Sequence, residues 1–356
     1  MTALAILAVI GLVQGAFLVL LMIFLGVRQQ VHRIHAISMD ATLSGLYEPL
    51  GAWLGGTGSV QDFVAALRFL PGRSALGVAG NLARTAIPEE YRTELSLALR
   101  DEPWVRRAFE RAASRQWGHR LEAARCLALV GTTADARVLE ALLNDERPAV
   151  AIAAITALPR VADAALVARV LDRLDALPRT VVRYLYGSLR ELRGLVEPAL
   201  LERLVATAPP RALARWTTLA GVLELPLALE RVATLAQHPD AHVREAVAAA
   251  IRRVPRKRSS DILIEMLHDT DADVRAAAAH GLGELASGAA IPALMDVVHD
   301  ESWAVRFRAT LALTQLGEPG RTAVRALRAD GDPYVADMAT LIAGLGDGAL
   351  LDMVED

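Results

Sequence analysis

The stretch from Asp269 to Gly317 constrains this chain more than any other, because it says the same thing twice. D-T-D-A-D-V-R-A-A-A-A-H-G-L-G starts at Asp269, and D-E-S-W-A-V-R-F-R-A-T-L-A-L-T-Q-L-G starts at Asp300. With Val305 as an anchor, Val274 lies 31 residues earlier, Val243 another 31 earlier and Val335 30 later. The register continues less cleanly upstream through Ala214, Val182, Val150 and His119. A period near 30 residues built from helical segments predicts an array of helical hairpins, each burying its apolar face on its neighbours.

Side-chain size repeats with the same period. Four residues after the anchor stand Ala123, Ala154, Ala278, Ala309 and Ala339, and seven after stand Cys126, Ala157, Gly221, Ala250, Gly281 and Ala312. Those offsets trace one face of a helix. Short side chains there let neighbouring helices approach closely. Acids recur five residues before the anchor, at Asp145, Asp269, Asp300 and Asp330, where they are expected to cap the second helix of each hairpin. Gly131 and Gly317 suit helix C-termini. Arginine follows the anchor at Arg120, Arg183, Arg215, Arg244, Arg275 and Arg306. Stacked guanidinium groups could bind a polyanion. The expected role is structural, each arginine tying hairpins together through an acid in its own or an adjacent repeat.

The segments from Asp271 and Trp303, each running through Leu-rich residues to Gly, resemble HEAT repeats, in the bacterial form called phycobilisome-lyase HEAT-like. The resemblance spans roughly residues 88–345, is strongest over 238–317, and weakens over 178–226. There Tyr186 and Thr218 occupy the small position, so the stacking is expected to loosen or bend. The resemblance implies an all-α, right-handed α-solenoid and says little about function, because such repeats serve many tasks.

Residues 3–27 carry no charged side chain, and Gln14 is their only strongly polar one. A helix of that length, at 1.5 Å per residue, crosses a hydrocarbon core of about 30 Å. No basic residue precedes the run, which favours a retained anchor over a cleaved signal peptide. Arg28 and Arg33 follow it, so the rest of the chain is expected in the cytoplasm, against the inner membrane. Gly11, Gln14 and Gly15 form a candidate helix-pairing face. The expected organisation is an anchor at 1–27, a connector at 28–58, and atypical capping hairpins at 59–116. Repeats then fill 117–345, and an acidic tail closes the chain at 346–356.

Charge and motifs narrow the function. A net charge of −3 argues against a nucleic-acid partner. The basic run Arg252, Arg253, Arg256, Lys257 and Arg258 suits a solvated loop or a contact with an acidic surface. His268 and His299 share one offset in adjacent repeats, too far apart to share a metal ion. Deoxyhypusine hydroxylase, a HEAT-like family, binds di-iron through His-Glu motifs, and this chain has no His-Glu dipeptide. The lone Cys126 falls at a close-packed position and reads as a buried residue. Trp104, Trp117, Trp216 and Trp303 read as packing residues or surface anchors. No nucleophile elbow or P-loop is present, so neither enzyme activity nor a cofactor is expected. The expected function is a membrane-anchored scaffold that binds protein partners along its repeats. A bilin-lyase-like enzyme, or an assembly factor that pairs through its membrane helix, are the alternatives.

Overall fold

A computed structural model describes residues 45–84, 88–253 and 257–344. The expected membrane helix with Gly11, Gln14 and Gly15, Arg256 and the acidic tail lie outside the described residues. Among the described residues there is no strand, and no helix is long and apolar enough to cross a membrane. The chain divides into two compact units, residues 1–131 and 132–356.

In the first unit, a helical stretch at 45–54 precedes α1 (Val60–Leu67), α2 (Gly72–Arg84), α3 (Glu89–Arg100), α4 (Pro103–Glu110) and α5 (Trp117–Val130). Ser59 starts α1 with a capping box, accepting from the Asp62 amide while the Asp62 carboxylate accepts from the Ser59 amide. The core gathers around Trp53, which stacks on Phe63 and meets Tyr91 edge-on, at centroid distances of 5.7 and 5.5 Å. The Trp53 indole N–H donates to Glu94 at 2.9 Å. Helix α5 packs on α2, α3 and α4, so the helix expected to open the repeats shares the core of the N-terminal hairpins.

The second unit is a succession of hairpins. Its first helices are α6 (Ala136–Leu143), α9 (Ala164–Asp172), α11 (Arg193–Arg203), α13 (Pro226–Ala233), α15 (Lys257–Met266), α17 (Ile291–Val297) and α19 (Gly317–Leu327). Its second helices are α7 (Pro148–Ile155) continued by the short α8 (Leu158–Val161), then α10 (Arg179–Glu191), α12 (Pro210–Val222), α14 (Ala241–Ile251), α16 (Ala272–Glu284), α18 (Trp303–Gln315) and α20 (Pro333–Gly344). First helices pack on first helices at α9–α11–α13, and second helices pack on second helices along α12–α14–α16–α18–α20. This is a HEAT-like, solenoid-like arrangement.

The repeating residues supply the core. Val243, Val274 and Val305 are fully buried, as are Ala278, Ala309 and Ala339. Gly221 shows how close the helices come. A Cβ added there would lie 2.6 Å from Ala250 Cα and 2.8 Å from its Cβ. A Cβ on Gly283 would sit 2.9 Å from Ala312 Cα. Between α10 and α12 the close stacking stops, at the place where Tyr186 and Thr218 replace small residues.

One expectation about helix ends is corrected and one is refined. Asp145, Asp269, Asp300 and Asp330 are not N-caps. Each accepts the amide two residues on, from Arg147, Asp271, Ser302 and Asp332, at 2.8–2.9 Å, and so shapes the loop before the helix. The side-chain caps lie nearer the helices, at Asp240 and Asp271. Gly317 takes the left-handed conformation at φ 73°, whereas Gly131 is extended at φ −61°, ψ 154°, which any residue can adopt.

Candidate functional site

The anchor-following arginines form a periodic hydrogen-bond system. Arg244 Nη1 donates to the carbonyls of His238 and Pro239, in the loop before its own helix, at 2.7 and 3.0 Å. Arg275 does the same to Asp269 and Thr270, Arg306 to Asp300 and Glu301, and Arg120 to Ser114 and Arg115. In Arg244 and Arg275 the other edge of the guanidinium reaches the next loop. Arg244 donates to both oxygens of Asp269 at 2.6 and 2.7 Å, and Arg275 to both oxygens of Asp300 at 2.7 and 2.9 Å. The four side chains are only 9–13% exposed. The Arg244 hydrogen bonds hold the Asp269 carboxyl below its ordinary range. Burial pushes the Asp300 carboxyl up, and the bonds from Arg275 and the Ser302 amide outweigh it and bring it down.

The positions that would supply the acid differ one and two repeats earlier. Opposite Arg215 the loop carries His238, and opposite Arg183 it carries Pro209. His238 reproduces the turn with a ring nitrogen: the Asp240 amide donates to its Nδ1 at 3.1 Å. With Nδ1 accepting, Nε2 holds the proton and donates to the Ala206 carbonyl at 3.2 Å. The loop keeps its shape and loses a carboxylate.

Arg183 and Arg215 instead line an open groove of about 940 Å³ across α10, α12 and α14. Tyr186, Arg211, His242 and Glu245 share its wall, and Ala214, Ala246 and Ala249 contribute small apolar surface. His242 Nδ1 lies 3.9 Å from Glu245 Oε2. Burial raises the Tyr186 phenol above its ordinary range, and the Arg215 charge opposes that shift. Three arginines, His242 and Glu245 therefore line the groove around a floor of small apolar side chains. Arg211, His242 and Glu245 were not singled out from the sequence. The readable signal was Pro209 and His238 standing where aspartate belongs.

In the basic run at 252–258, Arg252 is taken up by the fold. Arg252 turns to α16, where its Nη1 donates to Glu284 Oε1 at 3.1 Å, and burial lowers its pKa. Arg253 and Arg258 are exposed. Arg256 and the Lys257 side chain lie outside the described residues. Beside Arg252, His280 is driven down to about 4, first by burial and then by Arg252 and Arg308. Cys126 is buried and its thiol is pushed up to about 12 by burial and by Glu122, far from a nucleophilic thiolate. His299 pairs with Asp330 at 3.2 Å, and His268 is exposed. Trp216 is buried and donates to the Leu171 carbonyl at 2.9 Å. Trp117 and Trp303 are exposed, and Trp303 stacks on Phe307 at 5.1 Å.

The family model for HEAT repeats matches residues 197–280 and 260–344. Over this part the chain is similar to HEAT repeats. The matched span contains the closed Arg244 and Arg275 pairs and the α12 and α14 walls of the groove. No curated protein matches the chain. Among solved structures, it is similar to YibA of Escherichia coli at 17% identity, over 74% of this chain and 99% of that one, with a TM-score of 0.34. Human deoxyhypusine hydroxylase with glycerol shares 19% identity over 80% of this chain and 97% of that one, with a TM-score of 0.29. Importin beta shares 16% identity over 85% of this chain and 47% of that one, with a TM-score of 0.39. Likenesses this distant decide nothing about function.

Proposed function

We propose that this chain is a HEAT-repeat adaptor, held at the cytoplasmic face of the inner membrane by residues 3–27, that binds a protein partner along its second helices. The observation that carries the reading is the groove across α10, α12 and α14. It opens where the close stacking of second helices is interrupted, and it exposes Arg183 at a position that elsewhere serves the fold. HEAT repeats serve as binding surfaces by presenting many parallel helices to one partner. The side chains that invite a catalytic reading favour packing. Cys126 is buried, and Arg244 and Arg275 are closed by aspartates.

The membrane part of the reading rests on the uncharged run at 3–27 and on the arginines after it. An anchor would raise the local concentration of the repeats near membrane-bound partners. Crosslinking and capture from native membranes with the full-length chain tests the whole reading, with a version lacking residues 1–35 as control. A stoichiometric protein partner retained by both versions supports an adaptor acting through its repeats. Capture of a small-molecule ligand and no protein would replace it with a lyase-like reading. Exchange of residues 3–27 for an unrelated apolar helix separates tether from specific pairing through Gly11, Gln14 and Gly15. Loss of partner binding on exchange points to pairing.

A further inference from the structure

We infer that the outward face of α20 is a docking surface for residues 349–356 of this chain, which seat on it as the first helix of a further hairpin. This docking is independent of the adaptor reading.

The segment repeats a pattern that the array has already used. Ala349-Leu-Leu-Asp-Met-Val-Glu-Asp356 is identical to Ala293-Leu-Met-Asp-Val-Val-His-Asp300 at five of eight positions. It carries apolar residues at the same places as Ile262-Leu-Ile-Glu-Met-Leu-His-Asp269. Both of those stretches run through the end of a first helix, α17 or α15, into the loop that follows. Leu263, Met266 and Leu267 are buried there, as are Leu294, Val297 and Val298. Leu350, Met353 and Val354 stand at the same three positions. Spacings of three and four put them on one side of a helix, and such a stripe needs an apolar surface to bury it.

Helix α20 offers that surface. Eight residues after the anchor, the earlier second helices carry Ile251, Leu282 and Leu313, all buried. Leu313 lies against the start of the next first helix, since a Cβ on Gly320 of α19 would run into its carbonyl oxygen. On α20 the same position is Ala343, and it is exposed. Six residues after the anchor, Leu311 is 1% exposed and packs with Met338 and Ile342 of α20, whereas Leu341 is 51% exposed. The positions that α18 buries against its next hairpin are the ones left open on α20.

Length and charge fit the same occupant. Helix α20 ends at Gly344, so residues 345–348 join it to the segment, with glycine at Gly346 and Gly348. Elsewhere the link from a second helix to the next first helix ranges from Leu316 alone to residues 285–290. Eight helical residues extend about 12 Å, well within the length of α20, so a segment that turns back lies along it. Arg321 on α19 and Arg328 at its C-terminal cap are exposed, and the segment brings Asp352, Glu355 and Asp356. Neighbouring first helices are joined by such pairs elsewhere, Arg169 to Glu140 at 2.9 Å and Arg203 to Asp172 at 2.7 Å.

The test is thiol accessibility in the full-length chain in detergent, with Leu341→Cys as the probe and N-ethylmaleimide as the reagent. Cys126 is buried, so the introduced thiol reports alone, and any labelling of Cys126 reports unfolding. A covered face makes Leu341→Cys react roughly tenfold or more slowly than Arg258→Cys, an exposed position on α15. Adding Leu350→Asp and Met353→Asp should restore the fast rate, because the segment can no longer bury its stripe. Leu350→Met with Met353→Leu should keep the protection. Fast labelling of Leu341→Cys beside the natural segment overturns the inference, because the face is then open. That comparison needs no disruptive change and decides the matter even if the aspartate pair unfolds the chain. Protection that survives the aspartate pair also overturns it. So does protection that fades on dilution, which would mark a second copy as the occupant. None of these results touches the adaptor reading, which fails if capture from membranes finds no protein.

Discussion

Two stretches of the same repeat array use one arginine in two ways. Over α14–α18 the repeat is regular, and Arg244 and Arg275 are each gripped on one side by loop carbonyls and on the other by Asp269 or Asp300. Over α10–α12 the register is the same, but Pro209 and His238 replace the acids, Tyr186 and Thr218 replace the alanines, and a groove opens. A repeat position thus has no fixed role. Asp269 and Asp300 let Arg244 and Arg275 staple two hairpins, Arg306 lies over the Tyr334 ring, and Arg183 lines the open groove. A loop can lose the aspartate and keep its shape, because His238 Nδ1 accepts the same turn amide that aspartate Oδ1 accepts elsewhere.

The sharpest way to break the comparison is to truncate the arginines themselves. Arg275→Ala leaves Asp300 almost buried without its charge partner, and removing one member of such a pair costs about 3–5 kcal/mol. Arg183→Ala removes an exposed side chain and should shift stability by no more than about 0.5 kcal/mol. Urea unfolding of the two variants reads the difference directly. If Arg183→Ala destabilises as much as Arg275→Ala, Arg183 is a structural staple and the division between the two stretches is wrong.

A second contrast lies in helix spacing. Gly221→Ala drives a methyl group to within 2.6 Å of Ala250 Cα, where backbone must move, and overpacking of that kind costs about 1–3 kcal/mol. On α10, Gly187 has nothing within 4 Å of an added Cβ. Gly187→Ala there should stabilise by about 0.5–1 kcal/mol through helix propensity alone. Opposite signs are expected from one chemical change, read as shifts in melting temperature. Destabilisation by Gly187→Ala would show that α10 is packed as tightly as α12 and that the groove closes in solution.

Much of the fold was legible because the period places each anchor and each small residue on the same helix face. Val274, Ala278 and Gly281 are buried as that periodicity requires, and the weakness over 178–226 marked the place where stacking loosens. The aspartates were misread in detail. Five residues before the anchor is too far from the first turn to cap it, yet close to the arginine of the preceding hairpin, and that relation exists only once hairpins are stacked. Gly131 and Gly317 look alike in sequence, and only Gly317 needs a positive φ. Arg252, read from the sequence as part of a basic run, pairs with Glu284, a contact that exists only once α14 and α16 are packed. The groove was the least legible feature. Arg211, His242 and Glu245 fall at offsets outside the repeat pattern, and three different helices bring them together.

The smallest effects are those of pH, and within the regular stretch they share one sign and fall in two windows. Asp269 and Asp300 have folded pKa values below the ordinary 3.8. Their contribution is therefore complete above that value and is lost as pH falls through the depressed one. His280 titrates in a different window. Burial, Arg252 and Arg308 lower it from 6.5 to about 4, although Glu284 lies 3.5 Å from its Nε2. Between those two values the unfolded chain binds a proton that the folded chain refuses. Stability should therefore fall as pH drops from 6.5 towards 4, and should be flat for this group above 6.5. His280→Gln removes the titration, and the slope of urea midpoint against pH in that window should flatten. An unchanged slope would mean that Glu284 holds the imidazolium after all, and that the Arg252–Glu284 contact is shared with His280 rather than exclusive. Arg183→Gln serves as the matching control in the groove. Among the described residues no lowered or raised pKa has Arg183 as a cause, so the same slope should survive that change.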